Sequence, residues 1–244
     1  MAKRPFIRKP KRKRHGATFW DYEYTTGGNL KLSVKPSGDL QKFMRWHDRQ
    51  KSVVPFPPQA KVIDLGCGNG RNLVYLAEEF GMTGTGYDIS NAAIAQARQL
   101  AGQHPLVFEV RSMAGAINLP DESCSLALDM MSSHFLTAAE RDTLRDEVYR
   151  VLAPGGWFFM KTFLRDGDLH TKRLLETVPG KEPNTYIHPV IGVPEHVYGE
   201  EELTDWLGKR FTVHKVYRSH KHISQGKANK RRTVSVYAEK DPYK

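Results

Sequence analysis

The stretch from Val62 to Ala77 changes character twice and restricts the fold more than any other part of the chain. Val62 to Leu65 is a short apolar run typical of a buried strand, Gly66 to Gly70 is a glycine-rich turn, and Asn72 to Phe80 has apolar residues at helical spacing. In a parallel sheet such a turn lies at the carboxyl end of its strand, where the backbone can approach a ligand and the next helix offers free N–H groups. The sequence therefore predicts a ligand-binding turn.

The residues around this turn narrow the choice of ligand. It lacks the Lys-Ser/Thr ending of a nucleoside-triphosphate loop, and its glycines run G-x-G-x-G where a dinucleotide fingerprint has G-x-G-x-x-G. Asp64 stands directly before the turn, where a carboxylate would repel a pyrophosphate but could pair with an ammonium group. Asp88 ends a second predicted strand about 20 residues later, where an acid can accept both hydroxyls of a ribose.

Three motifs resemble those of the class I S-adenosylmethionine-dependent methyltransferases. They are Asp64-Leu-Gly-Cys-Gly-Asn-Gly70, the acid Asp88, and Leu152-Ala-Pro-Gly-Gly-Trp157, which is similar to the turn before that family's fifth strand. The resemblance covers residues 40–164 and, through the strand pattern at the end, 200–240. It implies a doubly wound α/β fold with a seven-stranded, mostly parallel sheet and an antiparallel last strand. S-adenosyl-L-methionine is the implied cofactor, and the alternative is another Rossmann-like domain that binds a different nucleotide or no ligand.

The resemblance also implies which residues hold the cofactor. Asp64 and the loop 66–70 would seat its methionine part, Asp88 the ribose, and Ser112 with Met113 the adenine. The family often has an acid after its third strand for the adenine amino group, whereas this chain has Arg111-Ser-Met-Ala there, so the adenine contacts stay open. The predicted cofactor residues are Asp64, Gly66, Cys67, Gly68, Asn69, Gly70, Asn72, Asp88, Ile89, Ser112, Met113 and Asp129.

The other predicted elements fit one methyltransferase domain, 59–244, preceded by an N-terminal cap segment, 17–58. Helical spacing over 38–51 resembles the helix that many of these enzymes lay over the cofactor site. The aromatic-rich stretch 18–24 is predicted to pack on the domain, with an aromatic platform for a base or cofactor as the alternative. The predicted strands are 83–87, 105–110, 124–129, 157–163, 211–217 and 233–238, and the further helices are 89–100, 138–152 and 200–207.

Charge is segregated along the chain. Residues 1–16 hold eight Lys/Arg and no acid, residues 209–244 have a net charge of +9, and the part between them is acidic, within a total of +10. Two prolines and like charges predict that 1–16 is a disordered basic arm. Basic ends on an acidic body are typical of a polyanion binder and also occur as solubility tails.

The segment after the fourth strand, 129–135, should face the transferred methyl group. It lacks the Asn/Asp-Pro-Pro-aromatic tetrad of exocyclic-amine methylation, and neither Cys67 nor Cys124 is placed for attack on a pyrimidine. Direct transfer to oxygen, nitrogen or sulfur remains, helped chiefly by proximity. His134 is the predicted catalytic base because of its intrinsic pKa, with a packing role as the alternative.

Two further segments are predicted to bind the acceptor. Residues 165–199 form a long, irregular, His-, Pro- and Tyr-rich insertion, interpreted as a lid, and the basic loop 219–232 should open on the same side. These features predict an anionic acceptor, with RNA slightly favoured over a small metabolite. Without a recognised ligand pattern, the histidines are interpreted as solvated or anion-binding instead of metal ligands. The predicted acceptor residues are Met130, Ser133, His170, His188, His196, His220, His222 and Arg231.

Several classes of protein are disfavoured by composition. The sequence has no run of 18 apolar residues and no signal-peptide pattern, which predicts a soluble, cytoplasmic protein without a membrane partner. Two cysteines form neither a disulfide framework nor a metal knuckle. A basic binding module with a vestigial methyltransferase fold remains as the alternative function, and the sequence leaves the oligomeric state open.

Overall fold

A seven-stranded sheet is the centre of the molecule in the computed structural model, which describes residues 16–27, 33–50, 55–219, 223–224, 227–228 and 230–243. The strands are β1 Lys61–Leu65, β2 Thr83–Asp88, β3 Leu106–Val110, β4 Cys124–Met130, β5 Leu152–Phe163, β6 Thr185–Ile187, β7 Pro194–His196, β8 Thr212–Arg218, β9 Ile223–Ser224, β10 Lys227–Ala228 and β11 Thr233–Glu239. The order in the central sheet is β3-β2-β1-β4-β5-β11-β8, and two small two-stranded sheets are formed by β6 with β7 and by β9 with β10.

The pairing of these strands confirms the predicted topology. β1 is parallel to β2 and β4, whereas β11 is antiparallel to both β5 and β8. Leu65 at the end of β1 is in register with Tyr87 on one side and Asp129 on the other. The carboxyl ends of three neighbouring strands therefore meet at one edge, and the glycine turn leaves β1 between them.

Helices cover both faces of the sheet and bury one apolar cluster on each. The helices are α1 Ala17–Thr26, α2 Gly38–Asp48, α3 Arg71–Phe80, α4 Asn91–Ala101, α5 Ala138–Val151, α6 Leu169–Thr177 and α7 Glu200–Gly208, and a short 3-10 helix spans Ser133–Phe135. The cluster on one face includes side chains of α2, α3 and α4, and the cluster on the other includes side chains of α5 and α7. The chain is thus a doubly wound α/β fold, as predicted.

α2 packs on the sheet and does not cover the cofactor side. Phe43 stacks on Phe159 with ring centroids 5.1 Å apart and meets Tyr237 edge to face at 5.0 Å. Asp39 pairs with Lys161 at 2.6 Å. The structure corrects the expectation for this helix because its apolar side completes the core against β5 and β11.

The insertion 165–199 is more regular than its composition predicts. It contains α6 and the hairpin of β6 and β7, in which Thr185 is paired with His196 and Ile187 with Pro194. The side chain of Asp168 accepts the backbone N–H of Thr171 at 3.0 Å and so caps α6. The expectation of an irregular lid was wrong on this point because α6 ends before the first proline, Pro179, and the hairpin has Pro189 in its loop and Pro194 at the first position of β7.

Some sequence predictions lie outside the described residues. This holds for the predicted arm 1–16, except Gly16, and for His220 and His222. In the part of the chain that the structure describes, no helix has the length and apolarity needed to cross a membrane.

Candidate functional site

A cleft of about 600 Å³ lies at the edge where β1, β2 and β4 end. The glycine turn forms one part of its wall, and the segments after β2, β3 and β4 form others. The predicted cofactor residues that line it are Gly66, Cys67, Gly68, Asn69, Asn72, Asp88, Ile89, Ser112 and Met113. Asp64, Gly70 and Asp129, also predicted, lie behind this wall.

The turn requires glycine because neighbouring groups pack directly against it. Gly68 has φ +56°, and a Cβ there would lie 2.3 Å from the hydroxyl of Tyr24. Gly66 has φ +77°, and a Cβ there would lie 2.1 Å from Oγ of Ser132. Both values are far shorter than a van der Waals contact, so the bare backbone forms the wall of the cleft at this point.

Asp88 joins the glycine turn to the start of α4. Its Oδ2 accepts the backbone N–H of Gly68 and its Oδ1 that of Ser90, both at 2.9 Å. Burial raises the pKa of Asp88, while these N–H groups oppose the rise. Each carboxylate oxygen keeps a second lone pair, so the group can also accept hydroxyls of a ligand in the cleft.

Two carboxylates are buried behind the turn. Burial, reinforced by the charge of Asp129, raises the pKa of Asp64 to about 8. Burial raises the pKa of Asp129 to about 6, although it accepts the N–H of Ser132 and Ser133 at 3.3 and 3.1 Å. One oxygen of each, Oδ2, has no hydrogen-bond partner among the described residues. An unpartnered buried carboxylate beside the turn fits a ligand that carries a cationic amino group.

α1 supplies an aromatic part of the wall. Trp20 and Tyr24 are four residues apart, so they lie on one side of the helix, and both line the cleft. Asp21 fixes this helix to the start of α4, because its Oδ1 accepts Oγ–H of Ser90 at 2.7 Å and N–H of Ala92 at 3.1 Å. The sequence favoured a packing role here and kept an aromatic platform as the alternative. The spacing of Trp20 and Tyr24, four residues apart, was the signal in the sequence that both rings could line one cleft.

Most of the rest of the wall is apolar and comes from the two segments that the sequence predicted to face the acceptor, although most of its side chains were not named there. The segment after β4 supplies Met131, Phe135 and Leu136, and the tip of the β6–β7 hairpin supplies Ile191 and Val193. Phe135 meets Trp20 edge to face, with ring centroids 5.9 Å apart. No histidine lines the cleft among the described residues. The charged lining residues are Arg71, Asp88 and Arg111.

The predicted acceptor residues that the structure describes lie at several places, and the predicted base His134 lies beside two of them. Met130 lines the cleft, Ser133 is buried behind it, and His170 lies on α6. His196 pairs with Glu202, with Nε2 and Oε1 3.0 Å apart.

Glu195 is surrounded by His134, His188 and Arg231. The sequence prediction missed Glu195 because no motif marks an isolated acid in a Pro- and Val-rich segment.

His134, the predicted base, is 2% exposed, and burial lowers its pKa to about 4.

Within the described ranges no three His, Cys, Asp or Glu side chains lie close enough to one another to hold a metal ion.

The comparisons with known proteins agree with this geometry. Residues 62–156 match the family model of a methyltransferase domain. An uncharacterized methyltransferase of Synechocystis is 30% identical over 141 residues, which are 57% of this chain and 63% of the relative. A fatty-acid O-methyltransferase of Mycolicibacterium smegmatis is 28% identical over 141 residues, 57% of this chain and 50% of that protein. The chain thus spans less than two thirds of either relative.

Solved structures extend the agreement over more of the chain. A SAM-dependent methyltransferase of Methanosarcina mazei superposes with a TM-score of 0.64 at 25% identity, covering 76% of this chain and 95% of the other. The family match includes the glycine turn and Asp88, which line the cleft, and residues 152–156, which begin β5. The fold is that of the class I S-adenosylmethionine-dependent methyltransferases, and residues 62–156 of the chain match a methyltransferase domain.

Proposed function

We propose that this protein transfers the methyl group of S-adenosylmethionine to an oxygen, nitrogen or sulfur atom of a small acceptor with an apolar body. The observation that carries the proposal is the apolar wall opposite the polar glycine turn. Its side chains are Trp20, Met131, Phe135, Leu136, Ile191 and Val193. Such a wall favours an acceptor that buries carbon atoms, because apolar contact is what it offers.

The polar side of the cleft would hold the cofactor. Asp88 is suited to the ribose hydroxyls, Asp64 to the ammonium group, and the segment of Ser112 and Met113 to the adenine. When bound, the cofactor supplies an electrophilic methyl group. The protein's contribution is to hold it against the turn and to align the acceptor while the apolar wall excludes water.

The lining residues also favour an acceptor atom that is already nucleophilic. The histidine predicted as a base lies behind the wall, and the nearest buried thiol, Cys67, has a pKa well above its ordinary value because of burial. A carboxylate oxygen needs no proton removal before it attacks a methyl group. The fatty-acid O-methyltransferase among the relatives supports a carboxylate on an apolar chain as the first acceptor class to test.

RNA is the second candidate, and the charge distribution favours it. Eight Lys/Arg in residues 1–16 and eleven in 209–244 could neutralise several phosphates. Binding through these contacts should weaken steeply as salt rises. A small-molecule enzyme should keep its activity when residues 1–16 are removed, whereas an RNA methyltransferase should lose affinity.

The deciding experiment follows methyl-labelled S-adenosylmethionine into total cellular extract, separated into RNA, protein and small-molecule fractions. Asp88→Ala serves as the inactive control. Label in the small-molecule fraction that disappears with Asp88→Ala supports the proposal, and a panel of carboxylic acids, phenols and amines then defines the class. Label in RNA would show that RNA, and not a small molecule, is the acceptor. The absence of label from every fraction would contradict methyl transfer itself.

A further inference from the structure

Glu195 lies where three segments of the fold meet. It is on β7, its side chain is 1% exposed, and Oε1 accepts hydrogen bonds from the hydroxyl of Tyr186 and from Nη1 of Arg231. Arg231 also donates from Nη2 to Oγ1 of Thr171 at 3.2 Å, and its Cζ lies 3.5 Å from the ring centroid of Phe163. The carboxylate therefore joins the hairpin to α6 and to the residues that lead into β11.

The other oxygen of Glu195 faces the tip of the hairpin through His188. Nε2 of His188 is 4.0 Å from Oε2. Nδ1 of His188 accepts the backbone N–H of Val190 and Ile191 at 3.3 and 3.2 Å. An accepting Nδ1 leaves the proton on Nε2, on the carboxylate side of the ring, at a distance longer than a hydrogen bond. The imidazole thus packs between Glu195 and the turn that brings Ile191 to the cleft.

The same oxygen faces the segment after β4 through His134. Nε2 of His134 is 3.9 Å from Oε2. A 3-10 helix has three residues per turn, so Ser132 and Phe135 share the side that lines the cleft, and His134 points away from it, toward Glu195. Behind the cleft, Oε2 of Glu195 therefore lies within 4.0 Å of an imidazole nitrogen from each of the two segments that build most of the apolar wall.

We propose that Glu195 is a positioning residue that fixes both halves of this apolar wall relative to each other. That the acceptor binds on this side of the cleft rests on the proposed function, but the linkage between the two halves does not. Through Arg231 the same carboxylate ties the wall to the residues that lead into β11. Loss of the carboxylate frees the 131–136 and 188–193 segments together and leaves the glycine turn in place.

The test compares Glu195→Gln with Glu202→Gln by hydrogen exchange of backbone amides. Glu202 is the matched control because it also pairs with a hairpin histidine, His196, whose side chain does not line the cleft. Glu195→Gln should speed exchange about tenfold in both 131–136 and 188–193. Glu202→Gln should change exchange near 184 and 196–203 only. The proposal would be overturned if, in Glu195→Gln, either wall segment exchanged at the wild-type rate. It would also be overturned if exchange rose equally throughout the domain.

A second variant keeps the test decisive if Glu195→Gln folds poorly. His188→Gln removes one of the two connections, so exchange should rise in 188–193 and stay unchanged in 131–136. An equal rise in both segments would show that the wall moves as one unit without Glu195, which contradicts the proposal. Because this measurement needs no acceptor, it remains valid if no methyl transfer is found.

A kinetic readout separates positioning from a purely structural role. With dodecanoate as the acceptor probe, Glu195→Gln should raise KM for dodecanoate severalfold and leave the Kd of S-adenosylhomocysteine within about twofold. If KM for dodecanoate and Kd of S-adenosylhomocysteine rose equally, Glu195 would have only a general role in stability. Failure of dodecanoate to accept a methyl group would bear on the proposed function alone, because the exchange measurement decides the linkage.

Discussion

The two sides of the cleft are built in different ways. On the glycine-turn side, Asp88 accepts a backbone N–H from Gly68, 20 residues before it, and the two residues end or follow neighbouring parallel strands. On the apolar side, Glu195 meets Arg231 across 36 residues, and it faces His134 from a different part of the chain. A short continuous motif can specify the first side. The second exists only after distant segments have packed, so its shape can change while the first stays the same.

The largest effect should come from Asp88→Ala. The variant removes the acceptor of two backbone N–H groups, each worth about 1.5–3 kcal/mol as a bond to a charged group. The affinity for S-adenosylhomocysteine should fall by more than about 100-fold. Isothermal titration calorimetry measures it. Asp121→Asn, an exposed acid paired with Arg150, is the control for changes of charge, and near-wild-type affinity of Asp88→Ala would contradict the assigned role.

Gly68→Ala should weaken cofactor binding by more than about tenfold. The added methyl group would meet the hydroxyl of Tyr24, so the turn and α1 cannot both keep their positions. Gly81→Ala is the matched control, since Gly81 also has a positive φ, +65°, but nothing lies within 4 Å of the Cβ that alanine would add there. Both variants should unfold at lower temperature, and only Gly68→Ala should lose affinity; equal affinities would mean that the turn tolerates displacement of Tyr24.

Ile191→Ala should change the choice of acceptor without changing cofactor affinity. The side chain is 3% exposed and lines the apolar wall, so its loss enlarges that side of the cleft. The ratio of the rate for a bulky acceptor to the rate for a slim one should therefore rise about five- to tenfold. Ile117→Ala, equally buried at 3% but away from the cleft, should cost similar stability and leave the rate ratio unchanged. An unchanged ratio in Ile191→Ala would place the acceptor elsewhere.

The smallest effect is the release of part of a proton on cofactor binding. With a pKa of about 8, Asp64 is mostly protonated at pH 7, and an ammonium group beside it should lower that pKa, so binding should release up to one proton. Calorimetry in buffers of different ionisation enthalpy measures the release. Asp64→Asn should abolish it, whereas Asp129→Asn should retain most of it, because Asp129 has a pKa of about 6. Release that persists in Asp64→Asn would identify another group.

The same raised pKa has a consequence for stability. The folded protein holds the Asp64 proton more tightly than the unfolded chain, whose pKa is near the ordinary 3.8. The free energy of unfolding contributed by this group is therefore fully present below about pH 4 and decreases as pH rises toward 8. Comparing wild type with Asp64→Asn by urea denaturation across this range isolates the contribution, and parallel curves would contradict the raised pKa.

The sequence predicted the fold and the polar side of the cleft well because both depend on local order. Strand ends, glycines and acids follow each other at fixed spacing, so Asp88 and the turn could be placed from residues 62–88 alone. Glu195 could not, because its partners come from three other segments and a buried acid in a hairpin leaves no periodic signal. His134 was noticed for its chemistry, but the direction of its side chain depends on the 3-10 turn, which the sequence pattern does not reveal.

α2 packs against strands that are synthesised much later than the helix itself. Phe43 rests on Phe159 and Tyr237, and Asp39 pairs with Lys161, 122 residues later. During synthesis on the ribosome, the packing of this helix is complete only after both β5 and β11, which ends at Glu239, have been made. The nascent chain therefore exposes Phe43 and Trp46 until those strands emerge, which makes this helix a site where chaperones would be expected to bind.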